Sequence, residues 1–243
     1  MADGRDGMHA DLYYGRIDLR RHLPQPGPAC RACDAASCRS FAARLEDGRL
    51  AEEARRGPLP PEACPLLTRD RLHAFRIALA PELLLPAVDV SPLPRPVEAG
   101  AVPIANPGPG APVLVSANHE GTVAFLGALL AWTSTPLHYL IVDTGGDGVD
   151  MAMILGSLTA ERIAGALRTV FPGALPERIV LPGLAAALTE ELAAALAEEL
   201  AAALAGELAA RTGRRVEVGP VCGAELPLFL GEAWRAAPGT TVE

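Results

Sequence analysis

Short apolar runs alternate with longer segments of helical periodicity in the second half of the chain. The apolar runs predict four strands, which lie within residues 112–118, 137–144, 178–183 and 214–220. The longer segments predict helices within residues 121–132, 159–171, 188–210 and 224–234. Strands that alternate with helices predict an α/β fold, in which a parallel sheet is covered on both faces. In such sheets, ligands bind beyond the carboxyl ends of the strands.

The predicted helix at residues 188–210 consists largely of Ala, Leu and Glu, which are strong helix formers. Its leucines recur every four residues, at Leu188, Leu192, Leu196, Leu200, Leu204 and Leu208. Because an α-helix has 3.6 residues per turn, this row of leucines spirals around the helix and does not form one flat face. We expect the helix to pack on the sheet. The alternative is a helix that associates with a second copy.

Residues 81–111 carry a high density of Pro and Gly, which favours extended backbone and predicts a linker. This linker divides the chain into a cysteine-containing module at residues 20–80 and an α/β domain at residues 112–243.

The helix within 159–171 has its own start signal, because Thr159 is a suitable N-cap residue and Glu161 lies in the first turn.

The net charge of the chain is −8, and its isoelectric point is about 5.2. This acidity argues against a nucleic-acid-binding protein, which needs a basic surface. The first residues lack a basic region followed by an apolar run, so no signal peptide is predicted. No stretch reaches about 18 uninterrupted apolar residues, so no membrane span is predicted. We therefore expect a cytoplasmic protein that does not act at a membrane.

Four of the five cysteines form the pattern C-x2-C-x4-C followed by a more distant Cys-Pro, at Cys30, Cys33, Cys38 and Cys64. Clustered cysteines in a reducing compartment usually bind metal or carry out chemistry. A [4Fe–4S] cluster needs four thiolates, usually three from one loop and one from farther along the chain. The pattern therefore favours such a cluster. A structural zinc site and a set of unrelated buried cysteines remain open as alternatives.

The residues around these cysteines extend the pattern. Leu23-Pro24 precedes the first three cysteines, Phe41-Ala42 follows them on a predicted helix, and Cys64-Pro65 is followed by two leucines. This arrangement resembles the N-terminal iron–sulfur domain of the large subunit of the corrinoid iron–sulfur protein in the acetyl-CoA synthase/decarbonylase system. The chain differs from the family pattern at Asp34, where a glycine is usual, and in a longer gap before Cys64.

The second half of the chain resembles the corrinoid-binding domain of the same subunit. The likeness rests on a series of short motifs in the family's order: PVLVSAN at 112–118, IVDTGG at 141–146, LPG at 181–183 and VGP at 218–220. The resemblance implies a Rossmann-like domain whose small residues at strand ends approach the amide fringe of a corrin ring. The corrinoid-binding residues implied in this way are Asn118, Thr144, Gly145, Gly146, Gly148, Pro182, Gly183, Gly219 and Pro220.

The resemblance implies a protein that carries methyl groups on the cobalt of a corrinoid (cobalamin) in one-carbon metabolism. A [4Fe–4S] cluster in the same chain would reductively activate the cobalt. The implied partners are a methyltransferase or an acetyl-CoA synthase-like protein, and an electron donor such as ferredoxin. The alternatives are an iron–sulfur electron-transfer protein without corrinoid, and a zinc-stabilised interaction module.

Two further residues lie near the predicted strand ends. No His occurs in the D-x-H-x-x-G motif through which many B12 proteins place an imidazole below cobalt, and the resembled family also binds its corrinoid without such a His. We expect His119 to be a core or surface residue, with a place beside the cobalt as the alternative. We expect Cys222 to be a buried thiol.

The family's central TIM barrel is missing, because only about 45 residues stand where a barrel needs about 250.

Overall fold

The computed structural model describes residues 17–24, 37–50, 64–79, 93–183 and 191–240. Within these residues the strands are β1 (Gly100–Ile104), β2 (Val113–Ala117), β3 (Leu137–Val142), β4 (Arg178–Leu181) and β5 (Arg215–Val218). The helices are α1 (Cys38–Leu50), α2 (Arg69–Leu79), α3 (Glu120–Leu130), α4 (Val149–Ile154), α5 (Ala160–Val170), α6 (Glu191–Thr212) and α7 (Leu226–Leu230). Three short 3-10 turns cover Leu19–His22, Gly223–Glu225 and Gly231–Ala233. No helix among the described residues is both long enough and apolar enough to cross a membrane.

The five strands form one mixed sheet in the order β1-β3-β2-β4-β5. The four strands β2 to β5 are parallel, whereas β1 pairs antiparallel with β3 at one edge. The chain moves from β2 to β3 on one side and then crosses to β4 on the other side of β2. This reversal places a topological switch point between the carboxyl ends of β2 and β4, where α/β sheets open a crevice for ligands.

The four predicted parallel strands and the helices between them are confirmed, including the Thr159 cap, whose side chain accepts a hydrogen bond from Arg162 N. The expectation of a wholly parallel sheet is wrong for β1, which lies in the segment interpreted as linker. The strand was not predicted because the high Pro and Gly content of this segment favours a linker. Pro103 cannot donate to a ladder, but an edge strand leaves one side of its backbone unpaired and so tolerates proline.

The central strands β2, β3 and β4 are buried on both faces, as predicted for the sheet, whereas the edge strands β1 and β5 are partly exposed. On one face Val113, Val115 and Ala117 of β2 pack with helices α5 and α6. Leu114, which alternates with them along β2, belongs to the opposite core with Phe125 and Leu129 of α3. This alternation follows from the two-residue repeat of a strand.

The leucine row of α6 spirals as the four-residue spacing predicts. Leu204 and Leu208 are buried together with Ala201 and Ala205, whereas Leu200 is exposed to solvent. Each four-residue step advances about 40° beyond a full turn, so two steps move a leucine away from the sheet. The side chains of Leu192 and Leu196 and the whole of Leu188 lie outside the described residues.

The described parts of the cysteine-containing segment share a core with the α/β unit. Leu19, Phe41 and Phe75 belong to the same apolar cluster as Phe125 of α3 and Trp234 near the carboxyl terminus. Helix α2 packs on α7 and on the turns that flank it. The division of the chain at residues 80 and 112 stays a prediction, although side chains from both parts meet in one core.

His73 of α2 lies in this shared core, between the two tryptophans of the chain. Its ring centroid is 6.0 Å from that of Trp132 and 6.1 Å from that of Trp234. Trp234 Nε1 donates a hydrogen bond to His73 Nδ1 at 3.3 Å, and His73 Nε2 is buried without a hydrogen-bond partner. Burial lowers the pKa of His73; Asp70 opposes this effect, and Arg76 and Arg69 add to it.

We predict that this histidine makes the protein less stable in mild acid. Its folded-state pKa lies below the unfolded value of about 6.5, so the unfolded chain binds the proton more readily. The contribution of His73 to the free energy of unfolding is therefore complete above about pH 6.5. It falls as the pH drops through the folded-state pKa. Urea unfolding between pH 8 and 5 measures this loss.

The matched variant is His73→Gln, which keeps an acceptor for Trp234 but does not titrate. It should show a smaller fall in stability below about pH 6.5 than the parent chain. Tryptophan fluorescence reports on the same event, because both indoles lie beside the imidazole. Equal pH dependence in the two proteins would contradict the assignment.

Candidate functional site at the carboxyl edge of the sheet

A short extended segment crosses the carboxyl ends of β2 and β3. We call residues 93–99 the crossing segment. Its backbone bonds to both strand ends: Arg95 N donates to Gly146 O, and Val97 N donates to Asn118 O, each at 2.9 Å. In the opposite direction, Glu120 N donates to Arg95 O at 2.9 Å. Because the chain's own backbone covers this part of the edge, a ligand has access only beside the crossing segment.

Asn118, directly after β2, holds the loop after β3 in place. Its side chain is buried, and its Oδ1 accepts hydrogen bonds from Thr144 N at 2.9 Å and Gly146 N at 3.0 Å. The Thr144 hydroxyl lies 2.9 Å from the same oxygen. The Asn118 amide donates to Val97 O at 3.0 Å and to Asp143 Oδ1 at 3.2 Å. Both ends of the side chain are therefore engaged within the protein.

The loop after β3 is further tied to the elements that follow it. Asp143 Oδ1 accepts a hydrogen bond from Gly145 N at 3.0 Å, and the Arg162 guanidinium donates to Asp143 O at 3.2 Å. The Thr144 hydroxyl lies 3.0 Å from Asp147 O, and Ser157 Oγ donates to Asp147 Oδ2 at 3.2 Å. These bonds make a preformed loop with a defined backbone path.

Three of the predicted glycines are needed for packing inside the protein. A Cβ on Gly146 would lie 2.3 Å from Pro96 N, and Gly146 has a φ of +87°. A Cβ on Gly183 would lie 2.3 Å from Pro220 O, and one on Gly219 would lie 2.7 Å from Leu181 O. Close backbone approach therefore explains these three glycines without a ligand.

The ends of β4 and β5 lie against each other. Gly183 N donates to Pro220 O at 3.2 Å, and Gly219 N donates to Leu181 O at 2.8 Å. Pro182, Gly219 and Pro220 are half-buried at this edge. The predicted site residues of these two loops are thus brought together on the β4 side of the switch point.

The surface beside the β3 loop is open and apolar. A Cβ on Gly145 or Gly148 would meet nothing within 4 Å, so the space beside these two residues is open. Helix α4 follows directly; it and its C-cap residue Leu155 expose Met151, Ile154 and Leu155, the last two by 63% and 62%. Leu93 of the crossing segment and Val221 after β5 are also exposed. Met151, Ile154 and Leu155 lie three and four residues apart and so share one exposed apolar face, a feature common in binding surfaces.

His119 is buried and caps a helix. Its Nδ1 accepts a hydrogen bond from Gly121 N at 3.1 Å at the start of α3, so the residue has a structural role in the core, as expected. Cys222 is buried as predicted, in the same core as Phe125.

Two of the four predicted metal ligands, Cys30 and Cys33, lie outside the described residues. Cys38 begins α1 and is half-buried, whereas Cys64 is buried shortly before α2. Both contact the same apolar cluster. Within the ranges that the structure describes, no three His, Cys, Asp or Glu residues lie together as a metal site. The thiol donors that are described fit a soft metal centre by chemistry, and the complete ligand set stays a prediction.

Two parts of this site were not predicted from the sequence. The sequence predicts a linker where the crossing segment lies. The signal for an extended segment there is the run Leu93-Pro-Arg-Pro-Val97, whose prolines favour extended backbone. The sequence also does not predict which face of α4 is exposed to solvent. Its MAMIL sequence is apolar on every side, so periodicity does not show which residues face solvent.

The carboxyl-edge site therefore combines an internally bonded frame with an open apolar surface. The frame is Asn118 with the loops that it orders, and the surface is the outward face of α4 next to Gly145 and Gly148. No protein-family model matches the chain, and no curated protein matches it either.

Proposed function

We propose that the chain binds a corrinoid at the carboxyl edge of its sheet and carries a methyl group on the cobalt. The observation that carries this proposal is the exposed apolar face of α4 beside the open space at Gly145 and Gly148. A corrin ring is a large, flat and partly apolar ligand with an amide fringe. Apolar side chains suit its face, and the open space beside two glycines admits its bulky amide fringe.

The position of this surface supports the same proposal. It lies where the β3 loop meets α4, at the edge of the sheet at which α/β folds place their ligands. The crossing segment covers the ends of β2 and β3, so the ligand would lie toward α4. When bound, the corrinoid supplies the methyl-accepting metal. The chain supplies a preformed loop that needs little ordering on binding.

The iron–sulfur part of the proposal rests on the cysteine pattern and on the placement of Cys38 and Cys64 in one core. A [4Fe–4S] cluster there would return an oxidised corrinoid to its reduced state. A methyltransferase or an acetyl-CoA synthase-like protein would exchange the methyl group, and a ferredoxin-like protein would supply electrons. An electron-transfer protein without corrinoid is the second candidate, which the cysteine pattern alone supports.

We predict that the double variant Ile154→Ser/Leu155→Ser binds hydroxocobalamin about tenfold more weakly than the parent chain. Each side chain is largely exposed in the free protein and would lose apolar contact with the ring. Equilibrium dialysis of the iron-reconstituted chain measures the change. Leu200→Ser is the matched control, because it removes an exposed leucine from α6 and should leave affinity unchanged. Equal loss in both variants, or no loss in either, would refute the α4 surface as the site.

A further inference from the structure

The cysteine-containing segment contacts the α/β unit through the amino-terminal half of α2, which is the end nearer to Cys64. Asp70, in the first turn of α2, accepts a hydrogen bond on Oδ1 from Ala236 N at 3.0 Å. His73, one turn later, receives the Trp234 indole bond in the core. These two hydrogen bonds to the carboxyl-terminal segment therefore lie in the half of α2 that is nearer to Cys64.

Arg71 joins three segments of the chain at this junction. Its guanidinium donates to His22 O at 2.6 Å and to Leu228 O at 2.9 Å, and it lies over the Phe75 ring at 5.7 Å from the centroid. Hydrogen bonds from a charged donor to carbonyls are among the stronger ones in proteins. One side chain thus links the turn before the cysteines to α7.

A second polar bridge links this same turn to the loop after β5. His22 Nε2 donates to Glu225 Oε1 at 2.7 Å, and both side chains are largely buried. Glu225 closes the 3-10 turn that starts at Gly223, which packs so closely on α3 that a Cβ would lie 2.5 Å from the Phe125 ring. Gly223 is five residues beyond the end of β5, so it lies at most about 18 Å from that strand end.

We infer that the described parts of the cysteine-containing segment are fixed to the α/β unit, and do not form a module that moves on a tether. The consequence for electron transfer rests on the proposed function. A cluster held by these cysteines and a corrinoid at the carboxyl edge would keep one constant separation. One electron would pass from the reduced cluster to the cobalt within a single chain, without domain movement. A low-potential one-electron protein donor would then restore the cluster.

Hydrogen exchange of the full chain tests the attachment without any cofactor. Peptides from α2 and from residues 219–236 should exchange at rates limited by the same opening event. Arg71→Met should raise exchange in both segments together by about tenfold or more, because it leaves two carbonyls without their donor. The matched control is Arg168→Met, which removes an exposed guanidinium from α5, on the other face of the sheet. It should leave both segments unchanged.

Fast exchange of α2 beside a protected sheet would overturn the inference, as would an Arg71→Met effect confined to α2. The consequence is tested by pulsed electron paramagnetic resonance of chain reconstituted with iron, sulfide and hydroxocobalamin. A single narrow cluster–Co(II) distance is the expected result, and a broad distribution would overturn the fixed separation. Joint exchange protection without retained cobalamin would overturn the proposed function and electron delivery to cobalt, while the attachment itself would stand.

Discussion

Replacing Gly146 with alanine should lower the free energy of unfolding by about 4 kcal/mol, enough to reduce Tm by about 10 °C. The residue has a φ of +87°, which costs any L-residue about 1–2 kcal/mol. A Cβ there would also lie 2.3 Å from Pro96 N and 2.8 Å from Arg95 C. These are backbone atoms, so the crossing segment itself must move away from the strand ends.

The neighbouring Gly145 provides the control for this prediction. It also has a positive φ, of +73°, but a Cβ there would meet nothing within 4 Å. Gly145→Ala should therefore cost only the conformational part, about 1–2 kcal/mol. Thermal and urea unfolding of the two variants measure the difference. Similar losses at both positions would mean that the crossing segment does not press on Gly146.

Replacing Asn118 with alanine should cost about 3 kcal/mol of stability and release the loop after β3. The change removes the acceptor for Thr144 N and Gly146 N, and the donor to Val97 O. Each buried group left without a partner costs about 1–3 kcal/mol, and water that enters the opened loop offsets part of the sum. Urea unfolding measures the loss, and loop peptides should become less protected in hydrogen exchange.

Thr144→Val gives a graded comparison, because it removes only the hydroxyl that lies between Asn118 Oδ1 and Asp147 O. It should cost about 1 kcal/mol. The double variant should lose less than the sum of the two single changes, since both act on the same oxygen. Strict additivity would show that Asn118 does not organise the loop through Thr144.

Much of the fold follows from local sequence signals. The strands β2 to β5 are short apolar runs, and α5 carries its own start signal at Thr159, so pattern and capping chemistry predicted them. The edge strand β1 was not predicted, because its pairing with β3 makes this segment a strand, whereas its own composition does not favour one. The β-propensity of a segment predicts a strand least well where contacts with the rest of the protein decide its structure.

The position of the candidate residues at one edge of the sheet was predictable from the sequence, but their contacts were not. The sequence placed Asn118, Thr144 and the glycines at strand ends, and the structure brings Asn118 together with the β3 loop, and Gly183 together with Pro220. It also shows that Asn118, Gly146, Gly183 and Gly219 make internal contacts that no short-range pattern reveals. Their predicted contacts with a corrinoid stay predictions. Gly145, Gly148 and the α4 face are the positions open to a ligand.

The most direct test of the proposed function is an anaerobic ultraviolet–visible spectrum with metal analysis. It is taken after reconstitution of the chain with iron, sulfide and hydroxocobalamin and removal of unbound cofactor. We predict a broad band near ~400 nm with about four iron atoms per chain, and about one equivalent of cobalamin with a base-off spectrum. Iron without retained cobalamin would contradict methyl carriage and favour an electron-transfer protein. Zinc with neither chromophore would contradict both.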